Sequence, residues 1–141
     1  MEISDVRKQL ADAIDRAKRA GQERRGRTDV AREDFDVFLD RLAIPLCRQL
    51  AHALKAAGHP FIVNTPSGAV RLLSERSGDD FIELSLDTEG EELWVVGHTR
   101  RAWGRRILES ERPVRRCPVR DITEEDVLAF MLKELEPFVE R

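Results

Sequence analysis

Tyrosine is absent from this 141-residue chain, and tryptophan occurs only twice. One common general acid is thereby missing. Cysteine is equally scarce. Cys47 falls on an apolar helical face and Cys117 in strand-like sequence, far apart and with no CxxC partner. Two buried free thiols are expected in place of a disulfide, and that usage suits a reducing cytoplasm. Long apolar runs are missing too. The longest uncharged stretch, Leu42–Cys47, is far below the roughly 20 residues of a membrane span. The opening Met1-Glu2-Ile3-Ser4-Asp5 is acidic and has no apolar run, so neither a signal peptide nor a membrane partner is expected. Charge of one sign is not in excess: 24 Lys and Arg against 27 Asp and Glu leave a net charge of −3. That balance speaks for surface ion pairs and against a chain-wide attraction to nucleic acid or membrane.

Catalytic signatures are missing as well. His52, His59 and His98 stand alone, with no HxxxH, no HExxH and no Cys–His pair at zinc-finger spacing. There is no GxSxG, GxxxxGK[ST] or GxGxxG. Ser67 in Pro66-Ser67-Gly68 is explained by its turn, and Asp79-Asp80 and Glu91-Glu92 by solvated turns. No catalytic residue, cofactor or metal is therefore expected from the sequence.

What is present is an order of hydrophobic periods. Helical spacing runs from Ile3 to Ala57, strand alternation from Phe61 to about Val119, and helical spacing again from Glu124 to Val139. Helices segregated from strands predict an α+β fold of two layers, an antiparallel meander of four to six strands with helices on one face. The size is that of one domain, able to bury a core without staples.

Ile3, Val6, Leu10, Ala13, Ala17 and Ala20 alternate spacings of three and four, and Ile14 widens the stripe. This is an amphipathic arm. It either folds back on the next helix or meets another subunit through a seam of Ile3, Val6, Leu10 and Ile14, giving a homodimer. Gln22–Arg27 is polar, basic and glycine-containing, and reads as a turn or hinge. The expected division is an arm and basic hinge over 1–27 and an α+β domain over 28–141. Thr28 or Asp29 opens a second helix, Gly58 caps it, and Pro45 predicts a break near Ala43–Ile44.

Strands are expected at Phe61–Asn64, Ala69–Glu75, Phe81–Asp87, Leu93–Arg100 and Arg105–Ser110. A weak edge is expected over Val114–Val119. Gly97, inside a strand, marks a bulge or a close backbone approach ahead of contact with a ligand. Thr123 and Asp126 have capping-box spacing, and Ile122 and Val127 that of a hydrophobic staple. Pro137 is expected to distort the last helical turn.

Eight arginines lie between Arg100 and Arg120. Arg100, Arg101, Arg105 and Arg106, with Trp103 among them, form a candidate contact surface suited to phosphate and base stacking. Neighbouring acidic strands compete for them, and Arg100 and Arg101 must point to opposite faces of a regular strand. Trp94 shares a face with Val96 and is expected in the core. Trp103, at a turn, is expected to be exposed.

The helix–sheet–helix order resembles frataxin-like and type III secretion chaperone-like sandwiches in outline. No motif matches either residue by residue, so no position carries a role over. Three functions remain open: a protein-interaction module, a nucleic-acid or phosphate binder using the arginine hairpin, and a small enzyme whose site forms only on folding.

Overall fold

The computed structural model describes residues 1–140. Helix α1 spans Ile3–Phe38, a π-helical turn spans Leu39–Ala43, and α2 spans Ile44–Ala56. Five strands follow: β1 (Phe61–Asn64), β2 (Ala69–Ser74), β3 (Phe81–Leu86), β4 (Val95–Trp103) and β5 (Arg106–Pro113). A 3-10 turn at Val119–Asp121 leads to α3 at Glu124–Glu140. The strands form one antiparallel meander in the order β1-β2-β3-β4-β5. The expected two-layer α+β architecture is the observed one.

The first two helices differ from expectation. Gln22–Arg27 is neither a turn nor a hinge, and the arm does not fold back on the next helix. α1 passes through without a break. Each glycine costs a helix only about 1 kcal/mol, and the intervening Gln, Glu and Arg are good helix formers. Thr28 does not open a helix. Its hydroxyl donates to the Arg24 carbonyl at 3.0 Å, the i−4 bond of a mid-helix threonine. The break anticipated from Pro45 takes the form of the π turn. The Ile44 N–H donates to the Leu39 carbonyl, five residues back, and this wider turn accommodates the proline ring. The result is one helical run from Ile3 to Ala56, about 80 Å long at 1.5 Å per residue. Its end is capped as expected at Gly58, with His59 N–H donating to the Leu54 carbonyl at 2.8 Å and Gly58 N–H to Lys55 at 3.1 Å.

Period two sends Val70, Leu72, Ile82, Leu84 and Val95 to one face, where all are sealed from water. α2 covers that face over β1 and β2, and α3 covers it over β4. Phe35, Phe38 and Leu39 bring the base of α1 into the same core, joined by Leu46, Cys47, Val127 and Met131. The capping box forms: Thr123 N–H donates to Asp126 at 3.0 Å, and Asp126 N–H to the Thr123 hydroxyl at 3.2 Å. That first bond, above all, holds the Asp126 carboxyl below its usual pKa. Ile122 and Val127 are both buried, as the staple spacing requires. α3 runs through Pro137 to Glu140, where the proline removes only one bond of the final turn.

Two further corrections concern the strands. The edge is β5, ending at Pro113, whereas Val114–Val119 forms no strand. Cys117 therefore lies in an irregular approach to the 3-10 turn, half-buried. Trp94 lies just before β4 and is half-buried outside the core.

A buried polar pair, Thr99 and Glu134, enters the core layer. Glu134 on α3 is buried, accepts the Thr99 hydroxyl at 3.1 Å and pairs with Arg112 Nε at 3.0 Å. Arg112→Ala would leave this carboxylate one partner short. It is expected to cost about 1–2 kcal/mol, because the guanidinium it removes is half in water. Arg112→Ala in a Glu134→Leu background should cost far less, and urea unfolding of the four-member cycle measures the difference.

Candidate functional site

Three surfaces remain outside the core: the arm, a groove at its root, and the arginine hairpin with the open face of the sheet.

The arm leaves the domain uncovered. Ile3 is 70% exposed, Val6 48%, Leu10 58% and Ile14 44%. From Met1 to Arg27 only Gly21, beneath the Arg25 side chain, is buried. Because α1 is unbroken, the stripe continues past Ala17 and Ala20 through Arg24, Thr28 and Ala31 to the buried Phe35. The seam is thus one line that begins in water and ends in the core.

Where that line meets the domain there is a groove of about 1170 Å³. One wall is α1 from Glu23 to Asp34, with Thr28, Val30 and Ala31. The other is the β3–β4 connection, Thr88–Trp94, with Pro118–Arg120 beside it. Trp94 and Leu93 supply apolar surface there. Among the described residues, no ion pair holds Glu89, Glu91 or Glu92 in this wall. No pattern in the sequence announces the groove, since three distant segments build it.

The hairpin divides the candidate arginines. β4 pairs β5 in regular register, Arg100 opposite Glu109 and Trp103 opposite Arg106. The two-residue loop Gly104-Arg105 has φ +62° at the glycine, the position where a type II′ hairpin turn needs it. Arg101 to Trp103 extend past the last β3 partner, so the tip is a two-stranded tongue. Its base is tied down by Asp80, which accepts the Ala102 N–H at 2.8 Å. Trp103 is 54% exposed, with the Arg101 guanidinium 5.1 Å from its ring centre. Arg105 and Arg106 are exposed.

Arg100 lies on the opposite face, 3.6 Å from Glu109 and 3.7 Å from Asp79. Arg112 is held by Glu134 and Arg115 by Asp126, the latter at 3.2 Å. The candidate surface is therefore brought together only in part: Arg101, Trp103, Arg105 and Arg106 cluster at the tip, and Arg100 does not join them.

The face of the sheet away from the helices is a paired-ion wall. Arg71 sits opposite Glu83, donates to it at 2.9 and 3.1 Å, and lies 4.0 Å over the Phe81 ring. His98 meets the same ring edge-on and stands 3.7 Å from Glu109. These groups bury Phe81 on a face that carries no helix. His98 thus belongs to a flat wall, not a cleft, and His52 is exposed on α2. Among the described residues, no cluster of three or more His, Cys, Asp or Glu has the arrangement to hold a metal ion. Cys47 is buried, and burial pushes its thiol up to about 12. Burial also raises Cys117, with Arg115 acting against it. Among the described residues, no helix is long and apolar enough to cross a membrane.

The fold defines the chain as a two-layer α+β meander carrying a projecting N-terminal helix. Comparison with protein-family models, with curated proteins and with solved structures finds no match to it.

Proposed function

We propose that this chain is a non-catalytic protein-interaction module of the reducing cytoplasm, and that its helical arm is the docking element. The observation that carries the reading is the exposed stripe of Ile3, Val6, Leu10 and Ile14 on a helix rooted in the core. Isolated helices are marginal in water, and most helical stability comes from burying an apolar face. A projecting helix with four large side chains on one line has that face still to bury. The free thiols support the compartment.

The test is affinity capture with the tagged full chain and with its Val6→Glu/Leu10→Glu variant. Both charges fall outside the core, so the domain should still fold and unfold cooperatively. Recovery of a partner, including untagged copies of the chain, only with the intact arm is the expected result. Identical recovery with both baits overturns the reading.

A second reading has one observation in its favour, the exposed Trp103 under Arg101 at the tip of the tongue, with Arg105 and Arg106 beside it. This arrangement suits a stacked base and its phosphate. Low-salt anisotropy titration of single-stranded probes, with Arg105→Ala/Arg106→Ala as control, tests it. The expected signature is binding that falls with salt and weakens in the variant.

A further inference from the structure

We infer that the arm's partner is a second copy of this chain, bound antiparallel, with the large residues of each arm seated along the root of the other. This rests on the arm being the docking element.

The groove cannot be filled by its own arm. Ile3 and Ala31 lie on one unbroken helix, about 42 Å apart at 1.5 Å per residue. Whatever occupies the space beside Arg24, Thr28 and Ala31 must come from elsewhere. The seam itself changes size along its length. Its first half presents Ile3, Val6, Leu10 and Ile14; its second presents Ala17, Ala20, Gly21, Arg24, Thr28 and Ala31. Parallel pairing would stack large on large at one end and leave gaps between alanines at the other. Antiparallel pairing sets Ile3, Val6 and Ile14 against Ala31, Thr28 and Ala20, with Leu10 along the stem of Arg24. It is also self-complementary, the requirement of a two-fold interface. The long apolar stem of Arg24 is compatible with a seam position, its charge reaching out to water.

Charge points the same way. Along Ile3–Ala20, Arg7, Lys8, Arg16, Lys18 and Arg19 outnumber Asp5, Asp12 and Asp15. The groove has the opposite balance: Glu23, Asp34, Glu89, Glu91 and Glu92 against Arg24, Arg27 and Arg120. Antiparallel pairing brings Arg7 and Lys8 of one copy to the unpaired Glu89–Glu92 wall of the other. The overlap from Ile3 to Ala31 amounts to about four heptads, enough for a stable two-helix seam. Apolar surface at the groove end comes from Leu93 and Trp94, where Ile3 and Val6 of the second copy would arrive.

The experiment is sedimentation of the full chain at micromolar concentration, joined to cross-linking in a Cys47→Ala/Cys117→Ser background. The expected mass is that of two chains, and Val6→Glu, which meets Thr28 and the acidic wall, is expected to weaken the dimer at least about thirtyfold and to lower the melting temperature only to that of the folded monomer. A short bismaleimide should link Ile3→Cys chains to Thr28→Cys chains when the two are mixed. It should not link Ile3→Cys chains to one another. A dimer that links Ile3→Cys to itself is parallel and overturns the proposal, as does a dimer indifferent to Val6→Glu. A monomer overturns it too. If such a monomer still captures a different protein through an intact arm, only the identity of the partner fails. If it captures nothing, the arm reading fails with it.

Discussion

Gly97→Ala is expected to destabilise the protein by about 3 kcal/mol or more, near the upper end for an overpacked core. A Cβ built on Gly97 falls on the Phe130 ring, closer than real Cβ contacts come. The strand around it leaves no room to give: Gly97 pairs with Leu84 on one side and Arg112 on the other, and its neighbours Val95 and Val96 are buried. The clashing atoms are the far end of the half-buried Phe130 ring, so either the ring turns out of its place or α3 lifts, and both disturb the packing around Val127 and Met131. For a chain of this size the loss corresponds to a fall of about 10 °C in Tm. Phe130→Leu in the same chain should recover a large part of it. Strong non-additivity between the two substitutions is the signature of direct contact, and simple addition would show that the glycine serves something else.

Stability is expected to fall steeply above pH 9, and the cause is Cys47. Its thiol titrates from 9.0 when exposed to about 12 in the fold, because burial penalises the thiolate. Below pH 9 both states keep the proton and the thiol adds no pH dependence. Between 9 and about 12 the unfolded chain loses a proton that the native state retains, so unfolding gains about 1.4 kcal/mol per pH unit, or about 4 kcal/mol over the interval. That is a large share of an ordinary domain's about 5–15 kcal/mol. The chain suits the measurement, since it has no tyrosine, and a Cys117→Ser background removes the other thiol that burial raises. Denaturant midpoints at pH 8, 9.5 and 11 should show the decline, and Cys47→Ala should flatten most of it. A decline of equal slope in that variant would place the titrating group elsewhere.

Much of the sheet could be read from the chain because its signals are local. Ile82, Leu84 and Leu86 alternate with polar neighbours, Gly104 sits where a two-residue turn needs it, and Thr123 with Asp126 closes a cap within one turn. Gly97 was legible as a special position, but the ladder through it is regular and what approaches is the Phe130 ring, not a bulge, a backbone or a ligand. The errors lie where local signals compete. Gly21, Gly26 and a run of charge imitate a linker, yet no proline stands there and the helix continues. Pro45 announces a break and the backbone answers with a wider turn. Val114–Val119 has strand-like residues but no strand left to pair with, since β5 already occupies the edge. The stripe of Ile3, Val6, Leu10 and Ile14 was visible from its spacing. The groove was not, because Glu23–Asp34, Thr88–Trp94 and Pro118–Arg120 meet only in three dimensions.

The uninterrupted α1 also acts as an indexed shaft. One residue added between Arg25 and Thr28 would rotate everything before it by about 100° about the helix axis, while seven would bring it back to within about 20°. The compass bearing of Leu10 relative to the sheet is therefore set by residue count alone. A length change of about seven, eleven or eighteen residues at the root nearly preserves that bearing; a change of one, two or five turns the line away from whatever it was made to meet.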